Sequence, residues 1–148
     1  TISKNQERTI SLDIAPKKVK RAKTRLVVSF RRFISDGNFK DLEDRIKILT
    51  SNYSFFDHKE QVKRLAGIYY SYRLIDMPSN GLKELDIFLK KMILSNTGNV
   101  CGQLSKALSL TQRRKLLKYS FHRNFEDRNH FDFSNQRLET LIRCWKYA

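Results

Sequence analysis

The sequence predicts an all-α protein, a right-handed stack or irregular bundle of about seven short helices. Three observations lead there. Only two Pro and five Gly interrupt 148 residues. The stretches between them repeat apolar side chains every three or four positions, as a helix face does, rather than alternating as a strand would. And 40% hydrophobic residues, ten of them Phe, supply the apolar mass of one ordinary domain. Short connections imply that successive helices pack roughly antiparallel.

A first helix is expected from Lys17 to Ser35, with Val19, Ala22, Leu26, Phe30 and Phe33 on one stripe and Arg21, Arg25, Arg31 and Arg32 off it. Asp36-Gly37-Asn38 ends it. A second helix, Phe39 to Thr50, lines up Phe39, Leu42, Ile46 and Leu49, with its acids early and Lys47 late, the order that the helix dipole favours. Asp57 reads as the N-cap of a third, whose buried stripe is Val62, Leu65, Ala66, Tyr69 and Tyr72. After Met77-Pro78-Ser79-Asn80-Gly81, a fourth runs from Leu82 to Leu94 with Leu82, Leu85, Leu89 and Met92 in register. A loop over residues 95–99 leads to a short fifth helix carrying Val100, Leu104 and Leu108. Thr111 is expected to cap a sixth that contains Leu116, Leu117, Ser120 and Phe121. Phe125 to Phe133 reads as a loop, and Ser134 caps a last helix with Leu138, Leu141, Ile142 and Trp145 inward. No internal repeat or low-complexity tract interrupts this order.

The formal net charge of +15 is unevenly spread. Residues 1–32 carry ten Lys or Arg and two acids, residues 33–110 eleven and nine, and residues 111–148 nine and four. The chain therefore divides into a basic N-terminal arm, residues 1–32, running into the first helix, and a helical interaction domain, residues 33–148. The densest patch, Pro16-Lys17-Lys18-Val19-Lys20-Arg21-Ala22-Lys23, fits both a monopartite nuclear localisation signal and a solvated basic helix face. Lys17, Lys18, Lys20, Arg21 and Lys23 are its candidate contacts with an import receptor or nucleic acid. Two cysteines 43 positions apart make neither a disulfide framework nor a metal pair, and point to a reducing compartment. No apolar run approaches the roughly 20 residues that span a bilayer. The start at Thr1 is what an excised fragment would show.

Four constellations carry chemistry. Gln103 to Leu117 has the outline of a helix-turn-helix, and Arg113, Arg114, Lys115 and Lys118 could neutralise phosphates, although a plain αα-hairpin has the same outline. Tyr69, Tyr70 and Tyr72 beside Lys63, Arg64 and Arg73 would suit base stacking, while helical spacing turns Tyr69 and Tyr72 toward the core. Phe121, Arg123 and Phe125 could clasp a peptide, its carboxylates on Lys118 and Arg123. His122, Asp127 and His130 fall in the one cluster of His and carboxylates, but their spacing is not that of a preformed metal site. No Walker loop, Gly-rich dinucleotide turn or Gly-x-Ser-x-Gly elbow is present. The reading is of a protein that is not an enzyme and needs neither cofactor nor metal.

The last helix, Leu138-Glu139-Thr140-Leu141-Ile142-Arg143-Cys144-Trp145-Lys146, resembles the closing helix of the TFIIS N-terminal (LW) domain family. Asn80 to Leu89 resembles the start of that family's central helix, and Gln103 to Leu110 its next helix. The basic stretch ahead of the core is most similar to the Iws/Spn elongation-factor branch, whose partner is the histone chaperone Spt-six. Leu108-Ser109-Leu110-Thr111 replaces the family's Leu-Pro-Val/Ile, and its Ile-Gly-Lys is absent. The resemblance implies a nuclear, helical protein-interaction domain of the RNA polymerase II elongation machinery. In it, Lys63, Arg64, Lys118, Phe121 and Arg123 would line a groove that docks a short acidic or aromatic peptide. The alternative is a sequence-independent nucleic-acid binder using the arm and the basic helix at residues 113–118.

Overall fold

The computed structural model describes residues 12–72, 74–146 and 148. The first eleven residues of the expected arm, and Arg73, lie outside the described residues. The first helix, α1 (Pro16–Asp36), opens on a proline whose missing N–H costs nothing in a first turn and closes at Gly37 in the left-handed region, which donates its N–H to the Phe33 carbonyl. Its expected stripe is the one buried: Val19, Leu26, Phe30 and Phe33 enter the main core. The helix runs unbroken through residue 32, so the described part of the arm belongs to the same packed body as the later helices.

Asn38 caps α2 (Phe39–Thr50) by accepting the Asp41 N–H. This helix is buried on two sides, with Leu42 and Ile46 in the main core and Ile48 in a second cluster with Leu141 and Trp145. Even Arg45 is buried, its Nε donating to the Leu141 carbonyl at 2.9 Å.

Beyond α2 the expected third helix gives way to a hairpin. Strand β1 (Asn52–Asp57) pairs antiparallel with β2 (Val62–Gly67), and β3 (His130–Asp132) pairs parallel to the other edge of β1, giving the order β2-β1-β3. The fold is therefore mostly helical with a small sheet, and not all-α. Asp57 does accept the N–H groups of Lys59 and Glu60, at 3.0 and 3.1 Å, but in the hairpin turn. Val62 and Leu65 of the expected stripe are exposed. Only its last two members, Tyr69 and Tyr72, pack on the core, from the short α3 (Ile68–Tyr72).

Helix α4 (Asn80–Leu94), capped by Ser79, buries Leu82, Leu85, Leu89 and Met92 as expected, with Ile93 beside them. Helix α5 (Asn99–Ala107) buries Leu104. Helix α6 (Leu110–Leu116) starts one turn signal earlier than expected: Ser109 and Gln112, not Thr111, form a reciprocal capping box. It also stops at Leu116. Ser120 caps a separate helix, α7 (Phe121–Asp127), where a loop was expected from Phe125 on. Asp86 of α4 reinforces that start, accepting the Ser120 hydroxyl at 2.9 Å and the Phe121 N–H at 2.6 Å. Ser134 caps α8 (Asn135–Ile142), which continues as a 3-10 turn, Arg143–Trp145. Leu141 and Trp145 point inward, whereas Ile142 is 40% exposed and does not. Arg137 of α8 binds Asp41 and Asp44 of α2, at 2.5 and 2.9 Å, and so fixes the last helix to the second.

Gly67 ends the hairpin at φ +121, and a Cβ there would meet the Ser51 carbonyl oxygen at 2.4 Å and Asn52 Cα at 2.5 Å. Backbone cannot move aside as a side chain can. Gly67→Ala should therefore cost about 3 kcal/mol or more in urea unfolding. Gly37→Ala, strained in φ but with open space around it, should cost about 1–2 kcal/mol.

Candidate functional site

Helical periodicity places Lys18, Arg21 and Arg25, at i, i+3 and i+7, along one flank of α1 beside its buried stripe. That flank borders a cleft of about 560 Å³, within the size range of ligand pockets. Leu49 of α2, Tyr53 and Gly67 of the hairpin, Tyr72 of α3 and Ile142 with Trp145 at the end of α8 form the other walls. Leu85 and Phe121 reach its floor from the core. Lys146 adds a further cation to the rim, and none of the lining residues is an acid.

The cations are held against rings. The Lys18 ammonium lies 5.6 Å from the centroid of Tyr72, and the Arg25 guanidinium 5.8 Å from that of Trp145. Trp145 is itself anchored, its indole N–H reaching the Arg25 carbonyl at 3.1 Å and Ser29 Oγ at 2.9 Å. Burial pushes the Tyr53 and Tyr72 phenols up from their ordinary pKa. The charge of Arg25, joined by Arg21 at Tyr72, opposes the rise. Arg25 Nε is buried and makes no hydrogen bond. The cleft thus combines three cations of α1 with apolar and aromatic walls and no lining acid.

The expected basic patch is divided by the helix. Lys18 and Arg21 face the cleft. Lys23 turns away, its Nζ bonded to Glu84 at 2.8 Å and 5.5 Å from the Phe88 centroid. Lys17 and Lys20 are exposed. The expected peptide-binding set does not form one surface. Phe121 is 1% exposed and Phe125 is buried as well, so the expected clasp of two rings is core packing, and Phe121 meets the cleft only from beneath. Arg123 and Lys118 do come together, the guanidinium donating to the Lys118 carbonyl at 2.6 Å. Lys63 and Arg64 lie on the edge strand β2, not on a helix, and are held by Asp132 at 3.5 Å and Asp57 at 2.6 Å.

Arg113 donates to the Ser105 carbonyl at 2.8 Å, tying α6 to α5, and is thereby withdrawn from the expected nucleic-acid set. Arg114 and Lys115 remain exposed. His122 faces Glu126 within α7 at 3.7 Å, and His130 lies on β3. Among the described residues no three side chains able to hold a metal come together. Arg25, Tyr53 and Trp145 were not expected in a site. The signal available for them was the spacing of Arg25 from Lys18 and Arg21.

Trp145→Phe keeps most of the apolar contact but removes the indole donor. It should lower stability by about 1–3 kcal/mol in urea unfolding followed by far-ultraviolet circular dichroism.

Comparison of the chain with family models, curated proteins and solved structures finds no match in any of the three.

Proposed function

We propose that the chain is a non-catalytic protein-interaction domain whose Lys18–Arg21–Arg25 cleft docks an acidic, aromatic-bearing segment of a partner protein. The observation that carries this reading is a cleft lined by Lys18, Arg21 and Arg25, with apolar side chains beside them and no lining carboxylate. Acidic side chains of the partner meet the rim, and one ring or aliphatic chain meets the floor. Charge-assisted bonds of this kind, added to a few buried contacts, supply micromolar to nanomolar affinity. Base stacking is the weaker use of the same cleft, because Lys18 and Arg25 already cover ring faces of Tyr72 and Trp145.

The resemblance to the LW family supports a narrower form of the proposal. In that form the chain is the docking domain of a nuclear transcription elongation factor, the partner segment belongs to an Spt-six-type histone chaperone, and Lys17 to Lys23 also serve nuclear import. The docking surface differs from the Phe121–Arg123 surface that the resemblance implies, since Phe121 is a core residue.

Fluorescence anisotropy with a labelled peptide rich in Asp and Glu around one Phe tests the assignment. Arg21→Glu should weaken binding at least tenfold with the helical dichroism unchanged, while Arg123→Glu should alter it less than twofold. Equal affinity for wild type and Arg21→Glu would remove the peptide from this cleft. Tighter binding of duplex DNA than of peptide, falling steeply with salt, would favour the nucleic-acid reading instead.

A further inference from the structure

We infer that the anchor of the docked segment is a phosphorylated serine or threonine, bound where Lys18, Arg21 and Arg25 line the cleft beside Tyr72. The inference rests on the acidic-segment reading and names the chemistry of its central contact. Its basis is a surplus of charge. Elsewhere the protein's own acids meet some of its cations: Lys23 with Glu84, Arg32 with Asp36, Lys63 with Asp132, Arg64 with Asp57 and Arg137 with Asp41 and Asp44. Along this flank of α1 three cations come within one cleft and no carboxylate lines it.

A single carboxylate brings one negative charge. A phosphomonoester brings about −1.5 to −2 at neutral pH and three strong acceptor oxygens. The donors present match the second better than the first. Arg21 is exposed, the Lys18 ammonium sits over the Tyr72 ring, and Arg25 lines the same cleft. Ser71 and Tyr72 line it as well. On α1 the three cations rise only about 4.5 and 10.5 Å along the axis, within reach of one tetrahedral group for side chains of this length. Arginine forks suit its oxygens in pairs, which a lone lysine does not. Nucleic-acid phosphates carry one charge each and need a groove to follow, whereas this cleft is closed below by Leu85 and Phe121.

The test uses the full chain and two labelled peptides of the same acidic, Phe-containing sequence, one with a central serine and one with phosphoserine. The phosphopeptide should bind at least tenfold tighter at pH 7.5, and its advantage should shrink as the pH falls through about 6, where the phosphate takes up its second proton. Arg21→Gln, at an exposed position, should cut the advantage below threefold without shifting the thermal midpoint. Arg25→Gln should do the same if it folds, and Arg21→Gln decides if it does not. Millimolar inorganic phosphate should compete with the phosphopeptide more than with the serine peptide. Equal binding of the two peptides, both lost in Arg21→Glu, would overturn this inference while the acidic-segment reading stands. A phosphate advantage that survives Arg21→Gln would also overturn it. Failure of both peptides to bind would overturn the reading and the inference together. Oligo-dT that binds tighter than the phosphopeptide and displaces it would reassign the site to nucleic acid.

Discussion

The indole of Trp145 joins the first helix to the last turn. Its N–H reaches α1 across more than a hundred residues of sequence, at the Arg25 carbonyl and Ser29 Oγ. Ser29 Oγ in turn donates to that same carbonyl at 2.7 Å, so three polar groups satisfy one another inside apolar surroundings. Around Trp145 the fully buried residues are only Ile48 and Leu141, with partly buried side chains such as Val28, Tyr53 and Leu138 packed outside them, and apolar contact of this kind is non-directional. Polar contacts set the orientation instead. Arg45 binds the Leu141 carbonyl, and Arg137 spans Asp41 and Asp44. Together they set the angle at which the last turn meets α1, and the cleft is the space left between the two.

Much of the helical framework was legible because its signals are local. Ser134 caps the last helix as expected, and Asn38 and Ser79, expected only as parts of breaks between helices, cap the helices that follow those breaks. The apolar stripes of α1, α2 and α4 are three or four residues apart and are buried where that spacing puts them. The sheet was not legible for an equally physical reason. Val62, Leu65, Ala66, Tyr69 and Tyr72 repeat as a helix face would, and Asp57 stands where a cap would. The run Asn52 to Asp57, with two adjacent Phe and a Tyr, is strand-like in composition, but its pairing with β3 is a contact between segments almost eighty residues apart. No local window contains that information. At α6 and α7 a similar ambiguity arose from having several hydroxyl residues in sequence, since Ser109, Thr111 and Ser120 are all competent caps; the Gln112 side chain completes a capping box with Ser109, and Asp86, distant in sequence, reinforces Ser120.

The site was legible in its charges and not in its walls. The basic cluster on α1 is evident in the sequence, and helical geometry alone separates Lys18 and Arg21 from Lys23. Which flank meets a cleft depends on what packs beside the helix, and here that is a hairpin and a C-terminal turn. Aromatic residues near cations drew attention to Phe121 and Phe125, yet both rings are worth more in the core. The rings that do meet cations at the cleft, Tyr72 and Trp145, come from segments far from α1 in sequence.

The parallel pairing of β1 with β3 bears on the order in which the molecule assembles. Helix α1, the β1–β2 hairpin and α2 can form from contacts among neighbours, but β3 joins only when the intervening helices have closed a loop from residue 54 to residue 132. Asn135 then seals the junction, exchanging hydrogen bonds with the Phe56 backbone at 3.0 and 2.5 Å. Tyr53 stands on the near side of that closure and Trp145 on the far side. A nascent chain with α1 complete thus carries the cationic strip without its walls, and the cleft takes shape only once the C-terminal turn has joined.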